Sequence, residues 1–247
     1  MPKTGSSFVI LKQVDSTNNY AMAKVHAGMA KHGDTYFTSM QTAGKGQRGK
    51  AWETANGVNI ALSLVLDVQL LNASQQFQLL VSVALGCYDF FERYAGQETS
   101  IKWPNDIYWR DRKAVGVLIE NSFQGSDWKF AVAGIGVNIN QTLFDNSLKN
   151  PVSLKQITGK TYDLAALAKE LQIHVLNRFS AIQKDPFRIS LDEYNGHLYS
   201  LNKKMHLKKG SIHFDATIQG VTAFGQLVTM DSKQERQFNF GEVEWVL

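Results

Sequence analysis

Gln41-Thr42-Ala43-Gly44-Lys45-Gly46-Gln47-Arg48-Gly49-Lys50-Ala51-Trp52 is the stretch on which the choice of fold turns. Gly44 to Gly49 matches the glycine fingerprint of dinucleotide-binding α/β proteins, with Asp67 near the place of a ribose-binding acid; Gly44 to Lys50 matches most of a P-loop. Both motifs require the loop to run into a helix whose N-terminus holds phosphate. This loop runs instead into Glu53-Thr54-Ala55, the turn pair Asn56-Gly57, and the strand-forming run Val58 to Leu66. Ala51 also stands where a P-loop needs a magnesium-holding hydroxyl. Neither class fits.

Upstream, Phe8 to Gln13 alternates as a strand, and Asp15-Ser16-Thr17-Asn18 offers caps for a helix carrying Tyr20, Ala21 and Val25, closed by Gly28 and Gly33. Thr35 to Met40 reads as a strand. Downstream, Ser74 is placed to cap a long helix with Phe77, Val81, Ala84, Leu85 and Tyr88 on its core face. Strands are predicted over Ile101 to Trp103, Ile107 to Trp109, Ala114 to Asn121 and Trp128 to Asn140, with hairpin turns at Arg110-Asp111-Arg112 and Gln124 to Asp127. Helices follow over Leu164 to Ile182 and Ile189 to Leu198. After Leu201 come short alternating strands broken by Lys209-Gly210, Gly225, Asp231-Ser232 and Gly241, the pattern of a small β-barrel. Hairpins rather than helical crossovers join the early strands, so the expected class is α+β, with a mixed, mainly antiparallel sheet. The expected domains are residues 1–200 and 201–247.

The composition narrows the setting. The chain has 247 residues, 44% of them apolar, enough for a sizeable core. The N-terminal apolar run, Phe8 to Leu11, is too short for a signal-peptide core, and no later run suits a membrane span. One cysteine, Cys87, excludes an internal disulfide, and its apolar helical setting reads as a buried, inert thiol. The histidines show no metal-ligand spacing. These features predict a cytoplasmic protein.

The formal charge of +4 is uneven, with Lys45, Arg48 and Lys50 close together and a second basic run at Lys203, Lys204, His206, Lys208 and Lys209. Such charge serves nucleic acid, an anionic small molecule or solubility alike. In the glycine loop, three glycines permit close approach to a ligand, the cations can face a polyanion, and Trp52 offers a flat surface. A solvated mobile loop would look the same. Lys102-Trp103-Pro104-Asn105-Asp106 adds a strand ended by proline, with an amide and a carboxylate at its mouth. Lys113 opens the next strand, with Gly116 beyond it, and Gly134-Ile135-Gly136-Val137-Asn138-Ile139-Asn140 holds two close-approach glycines and terminal amides.

Taken in order, Asp15 to Asn18, Gln41 to Trp52, Lys102 to Asp106, Lys113 to Gly116 and Gly134 to Asn138 resemble the biotin–protein ligase family across nearly the whole chain. The resemblance implies an SH3-like form for the C-terminal barrel. It implies ATP-dependent formation of biotinyl-adenylate, then transfer of biotin to a lysine of a biotin carboxyl carrier protein, with Mg²⁺ as helper. Ser16, Thr17, Asn18 and Gln41 would meet the ureido head of biotin, and the first three also suit helix capping. Gly44, Lys45, Gly46, Gln47 and Gly116 would line the rest of the biotin site. Lys113 would be the catalytic cation between carboxylate and α-phosphate. Arg48, Lys50, Trp52, Asn105 and Asn138 would face the nucleotide, and the metal ligands stay unassigned. Lys45 replaces a usual arginine, keeping charge but losing its fork, and Gln47 replaces a second, losing charge outright.

The nearest rival is a lipoate ligase or related acyltransferase of the same architecture. A nucleic-acid-binding module using Lys203 to Lys209 is the rival of another class, against which those lysines read as a solvated strand edge. Some members of the resembling family carry an N-terminal DNA-binding domain; here the motifs begin by Asp15, so no specific DNA binding is expected. No membrane association is expected either. Monomer and homodimer are both compatible with the sequence.

Overall fold

The computed structural model describes residues 6–182, 184, 186–232 and 234–246. A seven-stranded sheet forms from β1 (Phe8–Ile10), β2 (Thr35–Thr38), β3 (Ile60–Asp67), β4 (Thr99–Lys102), β5 (Asp106–Trp109), β6 (Arg112–Gln124) and β7 (Asp127–Val137), in the order β1-β2-β3-β7-β6-β5-β4. Only β1 and β2 run parallel; every other pair is antiparallel. The α+β expectation holds.

The two faces of this sheet differ in residue size, and that difference places the site. On β3, Ile60, Leu62, Leu64 and Leu66 point to the main core, as do Ala131, Ala133, Ile135 and Val137 of β7. Against them pack α2 (Gln76–Ala95) and α4 (Leu164–Ala181). The helices meet closely at Gly86, where a Cβ would lie 2.7 Å from Val175 Cα. On the opposite face, α1 (Thr17–His26) covers Val65 and Val132 with Ala21 and Val25. The rest of that face carries Ala61, Ser63, Gly116, Gly134 and Gly136. Register joins Ala61 to Gly136 to Gly116, and Ser63 to Gly134 to Leu118.

Helix α3 (Leu154–Thr158) and helix α5 (Phe187–Gly196) complete the larger part. The C-terminal strands β8 (Lys204–Lys209), β9 (Ile212–Val221), β10 (Leu227–Met230), β11 (Glu235–Phe238) and β12 (Glu244–Trp245) form an antiparallel sheet in the order β11-β10-β9-β8-β12. It is fastened to the larger part by Trp103 Nε1, which donates to Gly225 O at 3.0 Å, and by Asn195, which bonds both polar groups of the Val221 backbone. Tyr194, fully buried, donates to Pro104 O at 2.7 Å and ties α5 to the turn after β4.

One expectation needs correction, and two short elements went unread. Ser74 does not cap α2. It lies inside a 3-10 turn, Ala73–Gln75, that opens at Asn72, whose N–H donates to Gln75 Oε1. Helix α3 went unread because five residues give no periodicity; its signal was the capping box of Ser153 and Gln156. Strand β12 is two residues long and carries no alternation.

Candidate functional site

A cavity of about 790 Å³ opens over the small-residue face of the large sheet. Its floor is explained by what rests on it. Asn18 lies so close to Gly134 that a Cβ there would meet its carboxamide, and the indole of Trp52 lies across Gly136 and Gly116. At Gly116 a Cβ would come within 2.7 Å of Trp52 Cζ3. The glycines exist because two side chains occupy the space a Cβ would take.

At one end the lining is neutral. Ser16 caps α1 through its side chain, placing Thr17 and Asn18 in the first turn. Gln41 bridges to Val14, so the strand leaving β2 runs beside that helix start. Gln41 Oε1 accepts from the Thr17 N–H at 2.9 Å and lies 3.2 Å from its hydroxyl. Ser63 Oγ stands 2.8 Å from Thr17 Oγ1 and 2.6 Å from Asn18 Oδ1. Asn18 Nδ2 donates to Glu120 Oε2 at 2.8 Å.

Above the floor the glycine loop folds back as a small hairpin. Lys45 bridges Ala51, Gly46 N–H donates to Lys50 O at 2.6 Å, and Trp52 N–H donates to Gly44 O at 2.9 Å. Arg48 at φ 56° and Gly49 at φ 75° make the reversal. No helix follows before β3, in agreement with the rejection of both phosphate-loop motifs. Three side chains hold the hairpin down. Lys45 Nζ reaches Glu120 Oε1 at 3.4 Å, Gln47 Nε2 donates to Val117 O at 3.3 Å, and Arg48 Nη1 donates to Gly241 O at 3.2 Å.

The other end is cationic. Lys113 Nζ pairs with Asp106 Oδ2 at 2.7 Å and stands 5.7 Å over the Trp52 ring. Asn105, almost fully buried, donates to Val117 O, and Asn138, one residue past β7, donates to Lys113 O at 3.4 Å. Lys102 donates to the Tyr108 hydroxyl at 3.2 Å and lies over the Tyr108 and Trp245 rings. Burial lowers its pKa to about 8, against the opposing pull of Asp106. Lys50 and Lys149 line the same end.

The structure therefore gathers nearly every residue singled out in the sequence around one cavity: Ser16, Thr17, Asn18, Gln41, Lys45, Gly46, Gln47, Arg48, Lys50, Trp52, Asn105, Lys113, Gly116 and Asn138. Gly44 is the exception. It does not line the cavity; the space its Cβ would need is held by Trp52 O and Gln41 Nε2, so it is a close-packing residue of the hairpin. Sequence reasoning quoted Lys102 within a motif but gave it no role, and passed over Lys149, Glu120 and the C-terminal segment Phe240 to Trp245, most of which reaches the cavity. The small residues of β3 and β7 were a readable signal for the floor; Lys149 and the C-terminal segment had none. Cys87 is fully buried and burial pushes its thiol pKa up, as an inert cysteine requires. Among the described residues no group of three or more histidines, cysteines or carboxylates could hold a metal ion, and no helix is long and apolar enough to cross a membrane.

Comparison with known proteins agrees with this geometry. The chain is 30% identical over 146 residues to the bifunctional ligase/repressor BirA of Escherichia coli strain K12, covering 59% of this chain and 44% of that protein. It is 34% identical over 161 residues to the biotin–[acetyl-CoA-carboxylase] ligase of Paracoccus denitrificans, covering 62% of this chain and 65% of that one. The chain spans about half the length of the first curated relatives it matches. Its fold is that of the biotin protein ligase from Aquifex aeolicus in complex with biotin and ATP, at a TM-score of 0.81 and 22% identity, covering 97% of this chain and 99% of that one. Residues 10–138 match the model of one family, and the chain belongs to it: the biotin/lipoate A/B protein ligases.

Proposed function

We propose that this protein is a biotin–protein ligase, which activates biotin with ATP and transfers it to a lysine of a biotin carboxyl carrier protein. The observation that carries this reading is the polarity of a single cavity, with neutral hydrogen-bonding groups at one end and lysines at the other. A neutral ureido ring suits the first end and a triphosphate the second. Ser16, Thr17, Asn18 and Gln41 hold the ureido ring in this reading. Lys45, Gly46 and Gln47 close over the acyl chain, with Gly116 beneath it. Lys50, Trp52, Asn105 and Asn138 serve the nucleotide, with Arg48 at its margin.

The chemistry sets the demand for cations. A carboxylate is a poor acyl donor because its leaving group would be oxide. Attack of the biotin carboxylate oxygen on the α-phosphorus expels pyrophosphate and leaves a mixed anhydride whose leaving group is AMP. Two anions must meet in that step, and Lys113 stands where it can offset both. The deprotonated carrier lysine then attacks the acyl carbon, an amide forms, and AMP departs. No nucleophile of this protein enters either step. The loop hairpin, held over the cavity, keeps water from the anhydride. The carboxylates at the cavity, Glu53, Asp106 and Glu244, do not gather into a cation site, and Asp106 is already paired with Lys113. Mg²⁺ therefore enters this account only as a companion of the nucleotide phosphates.

Residues 1–200 are the catalytic unit in this reading and 201–247 a small β domain lending the turn after β11 and strand β12 to the cavity. The family also includes lipoate ligases. The neutral polar end favours biotin, because a dithiolane ring has no use for so many hydrogen-bond partners. Incubation with ATP and either acid, followed by mass spectrometry of the acid-soluble products, tests the reading. Biotinyl-adenylate alone is expected, and lipoyl-adenylate in its place would transfer the protein to the other branch.

A further inference from the structure

Glu120, on β6, does not line the cavity, yet it joins the two parts that enclose its neutral end. Its Oε2 accepts from Asn18 Nδ2 at 2.8 Å, and its Oε1 takes the Lys45 ammonium at 3.4 Å. Asn18 is 3% exposed and seated on Gly134, so its carboxamide has no second position to take. An ionised carboxylate only accepts hydrogen bonds, so Asn18 must turn its NH₂ to Glu120 and its oxygen to Ser63 Oγ, 2.6 Å away. Ser63 has one hydroxyl proton. Once that proton is given to Asn18, Ser63 can only accept from Thr17 Oγ1 at 2.8 Å. The chain of donation then runs from Thr17 through Ser63 and Asn18 to Glu120. Gln41 Oε1 keeps the Thr17 backbone N–H and also lies 3.2 Å from the Thr17 hydroxyl, so the hydroxyl proton is committed to Ser63 or Gln41 and Thr17 Oγ1 has only acceptor capacity left for a ligand.

We infer that Glu120 is a positioning residue that fixes the donor–acceptor direction of this pocket, making it select ligands whose head group carries N–H donors, and that it latches the glycine loop through Lys45. The inference rests on the biotin reading. A ureido ring supplies two N–H donors; a dithiolane supplies none, so the same device rejects lipoate.

The test compares wild type, Glu120→Leu and Glu120→Gln by calorimetric titration with biotin and with ATP, alongside lipoate competition and thermal melting of the ligand-free proteins. Glu120 sits on a strand with its side chain 32% exposed, so melting temperatures close to wild type are expected. Glu120→Leu should bind biotin about tenfold or more weakly, with ATP affinity unchanged and the preference for biotin over lipoate reduced by a similar factor. Glu120→Gln keeps an acceptor for Asn18, so it should recover most of the biotin affinity while shedding preformed adenylate severalfold faster, because the pair with Lys45 is gone. Unchanged biotin affinity and selectivity in Glu120→Leu would overturn the inference, as would equal loss of biotin and ATP binding together with a lowered melting temperature. Should the leucine variant not fold, the glutamine variant decides, and an unchanged adenylate lifetime counts against the latch. A wild type that binds no biotin would sink the ligase reading itself, whereas a binding wild type with unaffected variants sinks only this inference.

Discussion

Lys113 carries the largest single burden in the proposed chemistry. In the resting chain its charge is matched by Asp106 at 2.7 Å, and the arriving carboxylate and phosphate must draw it away from that partner. Lys113→Ala should slow adenylate formation by roughly 10²–10³-fold, the scale for losing one electrostatic donor in a transition state. Its side chain is 30% exposed at a strand end, so folding should persist. Near-normal single-turnover adenylation by the variant would reassign the role. Gly136 makes a second demand of the same kind. A methyl there must displace the Trp52 indole. Gly136→Ala should raise the KM for ATP by about tenfold with circular dichroism unchanged, the scale of one lost aromatic stack. An unaltered KM would mean that Trp52 plays no part in nucleotide binding. At this scale the sequence was half legible. The motifs named Lys113 and Trp52, and Gly134 and Gly136 read as places of close approach. What approached them, a tryptophan and an asparagine from distant segments, could be known only from the register of β3, β7 and β6.

The element most involved in the proposed chemistry is the glycine hairpin, held by Lys45, Gln47 and Arg48 on three different supports. Gln47 is a neutral tether to Val117 O. A charged hydrogen bond contributes about 1.5–3 kcal/mol against roughly 1 for a neutral one, so a cation at this position can change retention of an acyl phosphate by up to about tenfold. Gln47→Arg should therefore slow decay of preformed biotinyl-adenylate without altering its rate of formation, measured in single turnovers without carrier. If that decay is unchanged while Arg48→Ala accelerates it, Arg48 holds the intermediate instead. Long elements such as α2 and α4 were readable from periodicity, and the hairpin from the strand that follows it. The hairpin's supports were not readable, because Glu120, Val117 and Gly241 come to it through tertiary packing alone. The start of α2 was misplaced for a local reason: Asn72 with Gln75 frames a 3-10 turn ahead of the helix, Ser74 falls inside that turn, and α2 begins at Gln76 with no side-chain cap.

At the scale of the whole molecule, the two sheets are both needed to close the cavity, since Phe240, Gly241, Val243, Glu244 and Trp245 line it beside residues of the larger part. The β8 lysines gave the sequence its suggestion of nucleic-acid binding. In the fold that run is partly offset: Lys204 and His206 share Asp215, and Lys209 reaches Glu242. Those pairings pull the pKa of Asp215 below the usual carboxylate range, chiefly through His206. Association of this chain with DNA should accordingly be weak and salt-sensitive, with dissociation constants on the order of 10⁻⁴–10⁻⁶ M, and nanomolar binding to one sequence at physiological salt would contradict it. The central claim is that one cavity brings biotin and ATP together to make an acyl-adenylate. Isotope exchange between pyrophosphate and ATP reports that step and nothing after it. Exchange is expected to require biotin and to gain nothing from lipoate; exchange driven equally by lipoate, or none with either acid, would refute that chemistry.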